Sequence, residues 1–345
     1  MLNSRTGGVV LLVLVLVLGG LLAAAALLRS PTGDAGEAGP PTQAPPDSAP
    51  HASAVRSAID RLIPWMETSR LHPTAGGLDE FRFYVLELRT WHLLALYEVD
   101  PTRREELRRV VRQRLSPLEA GDRLVTLLEG ARVQRFIADL LVLMAIAADV
   151  DYSAPSIEKA LPELVRRGLD APLRPVPLQI ALVSLIRDLG LEIGPTVEEL
   201  RPRGMLRLQP PRDSLGRMEV YFLTHEIFGL SDYGLRPMTL EAGERAYLER
   251  SLPYWSQQYR AALDPDLLAE IVICDQVVGT TESAIYRDAV RFLLECQSPS
   301  GFFIEPPKAD IEGQLRPADR MHLQMVVLQA LLGHEALLLG RRLPG

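Results

Sequence analysis

Three features of this 345-residue sequence predict an all-α fold, built from helix pairs and preceded by one N-terminal transmembrane helix. Apolar residues recur at helical spacing almost everywhere after Ser53, and alternating strand patterns bounded by tight turns are absent. Highly charged helical stretches alternate with stretches that are apolar nearly all round, which calls for enclosure by other helices. Residues 7–28 carry no charged or polar side chain. At about 1.5 Å per residue, that run is long enough to cross a hydrocarbon core of about 30 Å.

Composition excludes several classes. With 37 basic against 44 acidic residues and net charge −7, no nucleic-acid partner is expected. Two cysteines exclude a disulfide-dense scaffold and a four-cysteine zinc site. Residues 1–6 read as a short tail and 7–28 as a membrane signal-anchor whose partner is the lipid bilayer. The run exceeds the usual signal-peptide core, and no cysteine follows it to carry a lipid. Arg5 precedes the span, while Arg29 is trailed by Asp34 and Glu37, so a single-pass protein with its domain outside the cytoplasm is expected. Residues 29–52 are rich in Pro, Gly and Ala, too poor in bulky apolar groups to order, and read as a disordered linker.

From 53 to 345 the pattern predicts about twelve helices, near 54–68, 79–99, 101–115, 120–149, 155–168, 176–189, 196–202, 214–229, 240–262, 265–278, 282–296 and 317–340. Asp100-Pro101 and Asp264-Pro265 place an N-cap before a proline at the first helical position. Thr196 with Glu199 has capping-box spacing, and Gly190, Gly229 or Gly234, Gly279 and Gly333 read as stops. The apolar helices recur about every 45–50 residues, one helix pair per period. About six such pairs predict an α/α toroid, with enclosed helices ringed by charged ones. An apolar last helix favours a closed ring over an open solenoid.

A resemblance bears on this ring. The segment LLECQSPSGFF (293–303), followed by ADRMHLQMVVLQALLG (318–333), resembles terpenoid-cyclase and protein-prenyltransferase toroids. YFLTHEIFGLSDYG (221–234) is similar to the Thr-His-x-x-Phe…Asp-x-Gly signature of an uncharacterised bacterial toroid-like domain family. The prenyltransferase resemblance implies zinc held by an Asp, a nearby Cys and a distant His. Cys274, Asp275 and His322 are the corresponding residues, although Asp follows Cys directly instead of preceding it by two. Neighbours on a helix project about 100° apart, which works against a shared ion.

His225 and Asp232 are the candidate ligand-binding or acid–base pair at the ring mouth, against a purely structural alternative in which Asp232 and Gly234 close the helix. His92 and His322 also fall on apolar helices, where a histidine bonded to a carbonyl is the ordinary outcome. Glu226, Asp232 and Asp275 could supply a glycosidase carboxylate pair. The chain has three tryptophans and a single asparagine, Asn3, few groups for holding sugars. Six arginines between Arg103 and Arg114 read as a solvated helix face. No phosphate loop, Gly-x-Gly-x-x-Gly or Gly-x-Ser-x-Gly elbow appears.

Two functions are therefore expected. The first is binding or scaffolding at a membrane surface through the ring. The alternative is an enzyme, metal-dependent or glycoside-processing, that uses the ring cavity. Any cofactor is unknown, and zinc is not favoured.

Overall fold

The computed structural model describes residues 52–68, 71–73, 78–130, 135–169, 174–306 and 317–344. In chain order its helices are α1 (Ala52–Thr68), α2 (Leu78–Tyr97), α3 (Pro101–Leu115), α4 (Gly121–Gly130), α5 (Ile137–Asp149), α6 (Pro155–Leu169) and α7 (Val176–Asp188). They continue with α8 (Val197–Leu200), α9 (Met205–Leu208), α10 (Arg217–Leu230), α11 (Ala242–Ala261), α12 (Pro265–Val278), α13 (Ala284–Glu295) and α14 (Pro317–Leu338). Among the described residues there is no strand, only one isolated bridge between Gln297 and Phe303.

Helix starts follow local chemistry. Asp100 accepts from the Arg103 N–H and Asp264 from the Leu267 N–H, each ahead of a proline that lacks the donor a first turn would leave idle. Thr196 and Glu199 close a reciprocal capping box. Gly279, at φ 84°, ends α12 in the left-handed conformation. Gly333 departs from expectation. It lies inside α14, where a Cβ would sit 2.1 Å from Gln276 Oε1, so it serves close packing of α14 on α12. The expected helix over 120–149 is two, α4 and α5; the intervening 131–134 lie outside the described residues.

Six helices pack in a closed circuit: α2 on α5, α5 on α7, α7 on α10, α10 on α12, α12 on α14, and α14 back on α2. The remaining long helices lie outside it, with α1 on α14, α3 on α2, α6 on α5, and α11 and α13 on α12. Burial follows the same division. Every residue of α12 except Asp266 is buried, and each enclosed Leu or Ile contributes about 1.5–3 kcal/mol. In α3, by contrast, only Val111 and Leu115 are buried. Its arginines do more than meet solvent: Arg108 lies 3.4 Å from Asp149, and Arg112 donates to the Val150 carbonyl, tying α3 to the end of α5.

The expectation of a toroid led by a transmembrane helix needs correction. Among the described residues no helix is long and apolar enough to cross a membrane. The apolar helices turn their surfaces toward one another, and even the most enclosed carry ionisable groups, Glu87 in α2 and Glu270 in α12. The span expected at 7–28 and most of the linker expected over 29–52 lie outside the described residues. What stands is an all-helical domain; a signal-anchored, single-pass localisation does not.

Candidate functional site

The N-terminal halves of α12 and α14 and the middle of α10 bring four ionisable residues together. His225 on α10 sits between aromatic rings, with centroids 4.1 Å from Tyr221 and 5.5 Å from Phe228. Its Nδ1–H donates to the Tyr221 carbonyl at 3.0 Å, which leaves Nε2 as the acceptor. Burial, reinforced by the charge of His322, pushes this imidazole down to about 4, so it is neutral at pH 7.

His322, one turn into α14, is set the other way. Its Nδ1–H donates to Asp266 Oδ1 at 2.7 Å. Burial works to lower this ring, but the Asp266 carboxylate overcomes it and holds the imidazole above its ordinary value. Asp266 is in turn held below the carboxylate range, against its own burial, by His322 and by Arg217 at 3.3 Å. The two histidines keep 19% and 29% of their side chains accessible, and neither Nε2 is bonded to a described residue. Both are therefore open to a ligand.

Between them lies Glu270, fully buried on α12 and 3.7 Å from His225 Nδ1. Thr224 donates its hydroxyl to Glu270 Oε2 at 2.5 Å, while Oε1 has no partner. Burial, together with the nearby Asp266 charge, pushes this carboxyl well above its ordinary value, so it keeps its proton. Asp139, at the start of α5, is raised by burial to about 6, opposed by Arg82, His322 and Arg174. Six segments, α2, α5, the residues before α7, α10, α12 and α14, thus contribute charge to this cluster.

Among the expected site residues, His225 and His322 come together and the others do not join them. Asp232 pairs with Arg236 at 2.8 Å beyond the C-terminal end of α10. Asp275 accepts from the Thr280 hydroxyl at the end of α12 and is raised by burial to about 7. Cys274 is fully buried, and burial followed by the Glu270 charge pushes its thiol far up, the opposite of what a thiolate ligand needs. Among the described residues no three His, Cys, Asp or Glu side chains gather as a metal site would require. Glu226 is a structural group. It accepts from the Met205 and Leu206 N–H groups at the start of α9, and burial raises it to about 7.

Sequence reasoning passed over Asp266 and Glu270. Asp264-Pro265-Asp266 reads as a helix cap, and Asp264 does serve as one. The signal available was that Asp266 and Glu270 stand four apart, on one face of a helix otherwise almost wholly apolar.

No curated protein and no solved structure matches the chain. One family does, described as a domain of unknown function (DUF6895), over residues 84–322. That match runs from the first turns of α2 to His322 and covers more than half of the sequence, so the chain belongs to this family.

Proposed function

We propose that the domain is an enzyme that performs acid–base chemistry on a small polar ligand at the N-terminal end of the enclosed helices. His225 Nε2 is the general base, and His322, held above its ordinary value by Asp266, is the general acid. Glu270, holding its proton, donates a hydrogen bond without adding negative charge. One observation carries the reading: two histidines, each with Nε2 unengaged by a described residue, stand against the same carboxyl pair, His225 3.7 Å from Glu270 and His322 2.7 Å from Asp266, and their surroundings shift them in opposite directions. Separated pKa values in one opening are how a site runs acid and base steps at one pH. The closed circuit of six helices supports kinship with the α/α toroids, whose inner helices also surround a central space.

The test is conversion of a panel of small hydroxy acids and polyols by the full chain in D2O, read by mass spectrometry as deuterium uptake or bond cleavage. His225→Gln and His322→Gln should each lower the rate at least a hundredfold with melting unchanged. Compounds that bind but are never converted would leave a binding role and overturn the enzymatic one.

A further inference from the structure

The first turn of a helix is an unfavourable place for a cation, because its unpaired N–H groups already carry partial positive charge. Arg217 nevertheless opens α10, behind Gly216, which supplies no side-chain cap. Its charge is met from the neighbouring helix. Nε of Arg217 donates to Asp264 Oδ2 at 2.6 Å, and Nη2 donates to Asp264 Oδ1 and to Asp266 Oδ2, both at 3.3 Å. Asp264 is itself fixed, since its Oδ1 also accepts from the Leu267 N–H at 3.1 Å as the cap of α12. The guanidinium is thus anchored on the start of α12, with Nη2 shared between the two aspartates.

The position of Asp266 makes this more than a tie between two helices. Each of its oxygens has a partner from a different helix. Oδ2 takes Arg217 from α10, and Oδ1 takes the His322 Nδ1–H from α14 at 2.7 Å. The carboxylate is therefore shared between a permanent cation and an imidazole that can gain or lose charge. Burial works to lower Arg217, but Asp264 and then Asp266 hold it well above its ordinary value, so it stays charged. Without that cation, two negative charges would stand at the His322 end of α12; Arg217 offsets one of them. Other groups also act on His322: Glu270 from α12, Arg82 from α2, His225 from α10 and Asp139 from α5. Arg217 differs from them in bonding the same carboxylate that bonds the ring.

We propose that Arg217 is a positioning residue: by sharing the Asp266 carboxylate with His322, it orients that carboxylate toward the ring and limits how firmly the ring keeps its proton. Two unopposed carboxylates would lock the proton onto His322, and an acid works best when its proton affinity lies near the working pH. Arg217 acts through Asp266 and is assigned no contact with a ligand. The use of this control in a reaction rests on the acid–base reading, whereas its effect on the ring does not.

NMR titration of the imidazole C–H signals of the full chain tests the proposal, with the His322 signal identified by its loss in His322→Gln. Arg217→Met should raise the His322 midpoint by about one pH unit, the size expected for removing a unit charge several ångströms away. Asp264→Asn retains a side-chain cap for α12 and frees Arg217 for Asp266, so it should lower the midpoint by about half a unit. Arg217→Lys keeps the charge and should restore most of the wild-type midpoint. A mere tie between helices would lower the melting temperature of these variants and leave His322 titrating as in wild type. That result, or a lowered midpoint in Arg217→Met, overturns the proposal; where Arg217→Met does not fold, Asp264→Asn decides. Conversion of the hydroxy-acid and polyol panel is scored separately. Shifted midpoints without conversion end the acid–base reading alone, and conversion with unshifted midpoints ends this proposal alone.

Discussion

The seam where α1 meets residues 297–303 and α14, and the cluster around His225, use polar side chains in opposite ways. At the seam two glutamines answer backbone groups. Gln297 Nε2 donates to the carbonyls of Ala58 and Gly301, both at 2.7 Å, and Gln324 accepts from the Phe303 N–H at 2.7 Å while donating to its carbonyl at 2.8 Å. Arg56 binds Glu335 across the same junction, and Trp65 packs on Phe302 with centroids 5.6 Å apart. At the cluster, by contrast, both Nε2 atoms and Glu270 Oε1 are left without partners among the described residues. Satisfied polar networks specify one arrangement of a core. Unsatisfied, pKa-shifted groups in a cleft mark a site. The motif resembling the toroid signature near 297–303 is therefore a device for closing the circuit.

That contrast can be broken most forcefully at Gly301. Its φ is 93°, and a Cβ there would sit 2.1 Å from the Arg61 carbonyl oxygen. Gly301→Ala should destabilise the domain by more than about 3 kcal/mol, read as the shift in urea midpoint, because strain and a backbone clash add. A loss below about 1 kcal/mol would show that the seam is slack. Gln324→Ala comes next. It orphans a buried N–H and a buried carbonyl together and should cost about 2–4 kcal/mol in the same measurement.

The smallest effect belongs to the cluster and has the opposite sign. In the folded protein Glu270 ionises above its ordinary range, whereas in the unfolded chain it ionises within that range. Between those limits the folded state binds more protons, so stability falls as pH rises. Its contribution is complete below the ordinary carboxylate range and is lost as pH climbs through the folded value. Glu270→Gln removes this loss and keeps an acceptor for Thr224. The variant should match wild type near pH 4 and exceed it by roughly 1–2 kcal/mol at pH 9. Parallel stability curves from pH 4 to 9 would mean that the carboxylate is not held protonated.

Much of the helical frame was legible without coordinates. Thr196 with Glu199, Asp100-Pro101 and Asp264-Pro265 mark helix starts through bonds within a few residues, so neighbours in sequence suffice to define them. The exceptions were positions where a distant contact outranks the local signal. Gly333 read as a stop because glycine favours one, yet α14 continues through it, since that glycine lets Gln276 approach. Asp266 read as part of a cap because it adjoins one.

By itself the sequence determined the class, all-helical, and the alternation of enclosed and outer helices, because capping and periodicity are local or nearly so. Only the tertiary structure decided which polar residues meet. Thr224 finds Glu270 across 46 positions and His322 finds Asp266 across 56. Such pairings depend on how each helix is rotated in its packing, and a small rotation would turn Glu270 away from His225. For the same reason Asp232, a plausible partner of His225 in the sequence, holds Arg236 instead. Its left-handed backbone carries it past the end of α10.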